Sequence, residues 1–334
     1  MKFSRSILTA CIALVASAQE LPTRSTSAAS RKTTSTGTPE SEASTDSTST
    51  GIIAEAASQT ASGKPSSSPI NPAKHNTRDD PYTRCATQPD DNQRTLLDRV
   101  PSQRNYTYKA ERQIDVYIHV VTTESKRDAY TETMIQDQVT VMNDAYSSMG
   151  FSFNLAGSDF TIQDDWAAAS AGGDAESQMK EALHMGSYAD LNLYFLSDLG
   201  DGLLGFCYFP TESPSRATRV LDGCINLAAS MPGAEAQNYN MGLTAVHEVG
   251  HWFGLYHVFD GNSCTGSGDY VSDTPMQSQA TFGCPSRQDS CPDQPGYDSI
   301  HNYMDYSYDQ CLYEFSDGQA QRARALYDEY RLDN

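Results

Sequence analysis

The segment His247-Glu248-Val249-Gly250-His251-Trp252-Phe253-Gly254-Leu255-Tyr256-His257 constrains this chain more than any other. His247 and His251 are four residues apart. On a helix that spacing sets both imidazoles on one face, one turn apart. Leu243, Val246, Val249, Trp252 and Phe253 supply apolar partners, so a buried helix is predicted over Met241 to Phe253. Gly254 permits a sharp turn at low steric cost, and the turn lets His257 swing back toward the pair. Three histidines around an open fourth position form the ligand set of a catalytic zinc. Glu248, beside His247, would face a zinc-bound water. Zinc lowers the pKa of such a water to about 7, and Glu248 could take its proton as general base.

The 334 residues exceed what this motif needs. The start reads as a secretory signal, residues 1–18: Lys2 and Arg5, then an apolar run from Ile7 to Val15, then Ala16-Ser17-Ala18 at the cleavage point. The apolar run is too short to span a bilayer. Residues 19–80 are rich in Ser, Thr and Ala and nearly free of aromatics. Such a stretch cannot bury enough apolar surface to offset its ordering entropy, so a disordered propeptide or linker is expected there. A catalytic domain over 81–334 remains. The net charge of −20 argues against nucleic acid and anionic membranes as partners. Protein or peptide substrates and a monomeric, extracellular enzyme fit better. Asn105-Tyr106-Thr107 is a glycosylation sequon.

Periodicity places the remaining elements. Ile114, Val116, Ile118 and Val120 alternate with polar residues as in a strand. Ile135, Val139, Met142, Tyr146 and Met149 recur at helical spacing within Thr131 to Met149, and Gly150 suits the C-cap. Phe151 to Leu155 alternates again. Ala175 to His184 reads as helix and Leu191 to Leu196 as a short strand. Asp317 to Tyr330 reads as helix with Ser316 as its N-cap. Strands and helices interleave first, and loop-rich sequence follows.

Together with the later run Asn302-Tyr303-Met304-Asp305-Tyr306-Ser307, the zinc segment resembles the metzincin clan. Within it, the chain is similar to the pappalysin family, in the branch of secreted fungal extracellular metalloproteases, from about Cys85 to the C-terminus. Leu203 to Pro210 and Ser272-Asp273-Thr274-Pro275 add support. The resemblance implies an α+β fold: a twisted, mostly parallel mixed sheet with two long helices, above a loop-rich, disulfide-stapled subdomain with a C-terminal helix. It implies one zinc held by His247, His251 and His257, and an endopeptidase acting on extracellular proteins. Met304 would lie beneath the histidines as an apolar floor. Tyr306 would donate to the oxyanion as it forms. Two competing readings are a zinc protein that binds without cleaving and a hydrolase of another amide or ester. Glu248 speaks against the first, and Met304 with Tyr306 against the second.

After the signal, seven cysteines remain, an odd number. The resemblance implies the pairs Cys264–Cys291 and Cys284–Cys311, with Cys207–Cys224 as the third. Cys85 is left over, where disordered sequence gives way to ordered. As a hypothesis it occupies the open zinc position in a precursor; a free thiol or mixed disulfide is the alternative. Asp269 and Asp273 could bind calcium, with a solvated acidic loop as the other reading. His75, His119, His184 and His301 have no metal-spaced partner, although His301 is close enough to Met304 to line the site.

Overall fold

A computed structural model of the chain describes residues 80–100 and 111–332. The signal, the Ser/Thr-rich stretch to residue 79, His75 and the Asn105 sequon lie outside the described residues.

Helix α1 spans Asp91–Leu97 and is followed by strand β1, Arg112–Thr122. Helix α2 (Glu132–Tyr146) then leads into β2, Phe151–Ile162. Helices α3 (Asp164–Ala167) and α4 (Asp174–Leu183) precede β3, Leu191–Leu196. Strand β4 (Gly205–Cys207), helix α5 (Arg216–Leu221) and β5 (Cys224–Leu227) come next. Helix α6 covers Leu243–Trp252, and α7, Asp317–Tyr330, closes the fold.

The strands form one sheet in the order β2-β1-β3-β5-β4. All neighbours run parallel except β4, which lies antiparallel to β5 at the edge. Alternation in β1 sends Ile114, Val116, Ile118 and Val120 to one face. There they pack with Ile135, Val139 and Met142 of α2 and with Val246 and Val249 of α6. The other face buries Tyr194, Leu196, Ile225 and Leu227 against Ala167 of α3 and Met179 of α4. This is the α+β arrangement expected from the sequence.

The expected elements differ in extent from those observed. Strand β2 runs seven residues beyond Leu155. A bulge lies at that point, since Val116 pairs with Leu155 but Tyr117 with Gly157. Beyond it the strand is a half-exposed edge, with Phe160 and Ile162 facing out, so an inward apolar signal is missing. Helix α2 ends at Tyr146 and tightens into a 3₁₀ turn before Gly150, whose φ is +72°. Helix α6 starts at Leu243 because Gly242, at φ +82°, is left-handed.

Below the sheet, residues 254–316 hold two short 3₁₀ helices, Asp260–Asn262 and Asp309–Cys311, and a single bridge between Asn302 and Glu314. Disulfides join Cys264 to Cys291 and Cys284 to Cys311 there. A third, Cys207–Cys224, bridges register partners of β4 and β5.

Candidate active site

Helix α6 carries His247, Glu248 and His251 at the boundary between the sheet and the loop half. The Nδ1 of His247 bonds the Tyr303 carbonyl at 2.7 Å, and that of His251 the Leu255 carbonyl at 2.8 Å. A carbonyl only accepts, so each Nδ1 carries the proton and each Nε2 is left as a bare lone pair. Gly254 turns the chain at φ +92°, where a Cβ would strike Leu326. The turn brings His257 Nε2 to 3.1 Å from His251 Nε2 and 3.2 Å from His247 Nε2. Lone pairs converging at this distance repel unless a cation sits among them. Desolvation, reinforced by the neighbouring rings, holds His247 and His257 well below the usual imidazole range. Desolvation alone takes His251 down to about 4. Neutral imidazoles are what metal ligation requires.

The Sγ of Cys85 joins this group. One donor atom from each of Cys85, His247, His251 and His257 lies within 4.8 Å of the others. Three imidazole nitrogens and a sulfur suit zinc, which takes both donor types in a tetrahedron. Burial and the Glu248 carboxylate push the Cys85 thiol well up, so a thiolate there depends on a cation among the nitrogens.

Glu248 is fully buried. Its Oε2 accepts from Cys85 Sγ at 3.3 Å and from Thr87 Oγ1 at 3.2 Å. Its Oε1 has no protein partner, which leaves an acceptor for a water proton. Burial raises the carboxyl to about 8, against the opposing hydrogen bonds from Cys85 and Thr87. Gly205 in β4 makes this approach feasible, because a Cβ there would stand 2.8 Å from Glu248 Cγ.

Met304 is completely buried under α6, and its Sδ occupies the space that a side chain at Gly250 would need. Tyr306 is also buried. Its hydroxyl donates to the Cys85 carbonyl at 2.9 Å and lies 3.3 Å from His257 Nε2. His301 turns away, toward the Cys311 carbonyl and the Tyr313 ring. His119 is buried in the sheet between Asp159 and Asn192.

The N-terminal segment lies along the free edge of β4. Thr83 N–H donates to the Gly202 carbonyl, Leu204 N–H to that of Thr83, and Ala86 N–H to that of Gly205. Between these contacts Arg84 enters a pocket beside the metal position. Its Nη2 donates to the Ser307 carbonyl at 2.8 Å and to Asp309 Oδ1 at 2.7 Å, and its guanidinium lies over the Tyr239 ring. Downstream, α1 docks with Leu97 buried against Phe209, Tyr256, Leu326 and Tyr330. Arg94 pairs with Asp260, three residues past His257.

Arg84, Thr87, Asp309 and Gly205 escaped the sequence reading. Nothing local marks Asp309, which lies 225 residues from Arg84. Helix α1 did carry a local signal. Asp90 and Gln93 form a capping box, each side chain accepting from the other's backbone N–H.

The two loop aspartates serve other partners. Asp269 Oδ1 accepts from Val271 N–H and Thr274 Oγ1, and Asp273 accepts from Ser316 Oγ and Gly318 N–H at the start of α7. Among the described residues, the only grouping of three or more His, Cys, Asp or Glu donors close enough to share a metal ion is the one at Cys85.

Comparison with known proteins places these features in context. The peptidase M43 family model, described as pregnancy-associated plasma protein-A, matches residues 174–328. An extracellular metalloprotease of Sordaria macrospora is 51% identical over 221 residues, covering 65% of this chain and 75% of the relative. One from Neurospora crassa is 50% identical over 228 residues, covering 67% and 78%. Among solved structures, mature mirolysin of Tannerella forsythia in complex with a cleaved peptide is 27% identical with a TM-score of 0.57. The match covers 67% of this chain and 97% of that one.

Proposed function

Since the chain belongs to the pappalysin family of metzincin-type metallopeptidases, we propose that it is a secreted endopeptidase, latent until its N-terminal segment is removed. The observation that carries this reading is the convergence of three Nε2 atoms beside a buried carboxylate with a free oxygen. His247, His251 and His257 would hold the zinc. When bound, that ion acidifies a water and polarises the substrate carbonyl.

The remaining steps belong to the protein. Glu248 takes a proton from the water and delivers it to the departing amine. Burial raises its carboxyl to about 8, close to the value of about 7 of a zinc-bound water, which suits a group that first takes and then returns the proton. Tyr306, which burial keeps protonated, donates to the carbonyl oxygen as charge develops. The Cys85 carbonyl engages the same hydroxyl, which supports the assignment. Met304 forms the apolar floor. Signal removal after residue 18 fits this reading, and the propeptide then runs beyond the 19–80 stretch, so that the activating cleavage falls after Ala86.

Cys85 supplies latency. Its sulfur would hold the zinc beside the three histidines, and the strand-like pairing of Thr83 and Ala86 fills the β4 edge that a substrate would use. Arg84 further supports a substrate preference. Its pocket offers a carboxylate, a carbonyl and an aromatic face, so a basic side chain beside the scissile bond would fit once the segment leaves.

The deciding experiment is Glu248→Ala. Zinc should remain bound, by metal analysis, while cleavage of a protein substrate disappears; persistent cleavage refutes the mechanism. Latency predicts that Cys85→Ser makes the unprocessed precursor active, and an unchanged precursor sinks it. For specificity, Asp309→Asn should lower the preference for basic residues in a peptide library by about 100-fold.

A further inference from the structure

Asp305 is a completely buried carboxylate, and among the described residues no Lys or Arg forms an ion pair with it. Neutral donors from three residues, Tyr306, Thr281 and Gln277, hold it instead. Its Oδ1 accepts from the backbone N–H of Tyr306 at 2.8 Å and of Thr281 at 2.9 Å. Its Oδ2 accepts from Gln277 Nε2 at 3.0 Å. Gln277 is fixed in turn. Its Oε1 accepts from Ser299 N–H and its Nε2 also donates to the Gln279 carbonyl, so the amide has one orientation only. A buried anion without a counter-ion is costly and persists where its hydrogen bonds hold something in place.

What they hold here is the tyrosine. The Tyr306 ring is boxed by Phe259, Phe282, His247 and His257. Its hydroxyl therefore follows the backbone of residue 306 and the wall at Phe282. Asp305 grips both: the Tyr306 N–H directly, and Phe282 through the N–H of the preceding residue, Thr281. We propose that Asp305 is a positioning residue for peptide hydrolysis, one carboxylate that sets the Tyr306 hydroxyl at the reacting carbonyl. This rests on the catalytic reading of Tyr306 given above.

The test is a double-mutant cycle in the secreted, activated enzyme, with kcat, KM and zinc content measured for each variant. Asp305→Asn turns an N–H₂ toward Gln277, which cannot flip without losing Ser299. The variant should lower kcat about tenfold or more with KM within about twofold and zinc retained. In a Tyr306→Phe background the same change should cost less than about twofold, because the group it positions is gone.

An equal loss in the Tyr306→Phe background, or an unchanged kcat in Asp305→Asn, overturns the proposal. An unchanged kcat in Tyr306→Phe alone overturns instead the tyrosine's catalytic role. Should Asp305→Asn fail to fold, Gln277→Leu removes one of these bonds. Its smaller kcat loss must likewise vanish beside Tyr306→Phe, and a loss that persists there refutes the proposal.

Discussion

Above α6, five strands bury branched aliphatic side chains against α2 on one face and α3 and α4 on the other. Below it, residues 254–316 have no strand and no long helix. Disulfides, buried carboxylates and a few aromatic rings hold them instead. The sheet half is cohesive everywhere, because each strand contributes to a shared core. The loop half is fixed at points. The candidate active site forms where the two join: α6 presents two imidazoles from the cohesive side, and His257, Met304 and Tyr306 arrive from the pinned side.

The contrast can be broken by substitution. Ile118→Ala in β1 should cost about 4 kcal/mol, through lost burial and the cavity left behind. Circular dichroism and zinc release should then report one coincident transition, since the shared core supports both halves. Replacing Cys284 and Cys311 by Ser should cost about 3 kcal/mol. Here the transitions should separate, with zinc lost on heating before the sheet signal. A coincident transition in that variant would mean that the loop half is not pinned as described.

A third substitution probes the joint itself. Gly250→Ala drives a Cβ into Met304 Sδ and should cost about 2 kcal/mol by overpacking. Zinc affinity should weaken while the sheet signal at room temperature is unchanged. The smallest effect concerns pH. Burial raises Asp269 from 3.8 to about 7, with one oxygen unpartnered. The folded state thus keeps a proton that the unfolded chain has lost. Stability contributed by this residue is present in acid and declines as pH rises between about 4 and about 7. Thermal melts across that range should show the decline, and Asp269→Asn should flatten it.

The same division governs what the amino-acid sequence discloses. β1 and α7 are legible because their burial is periodic, and a period is a local property; β3, buried throughout, is legible only as a short apolar run. β4 and β5 are three and four residues long and wholly buried, too short to show any period. The metal group is legible because His247 and His251 share one helix face and Gly254 marks the turn to His257. Arg84 and Asp309 meet only through the tertiary fold. Asp305 reads as any loop acid until its donors from Tyr306, Thr281 and Gln277 are seen together. Met304 and Tyr306 are legible only by family likeness, because nothing in their spacing from α6 places them beneath it.

One feature of the N-terminal segment reaches beyond catalysis. The edge of β4 is a row of backbone donors and acceptors that any extended chain can template on. A newly made protein, crowded among its own copies, would expose that row to them. Thr83 and Ala86 cover it from within the same molecule. The bonds that close the cleft therefore also shield a sheet edge on which an extended polypeptide could pair.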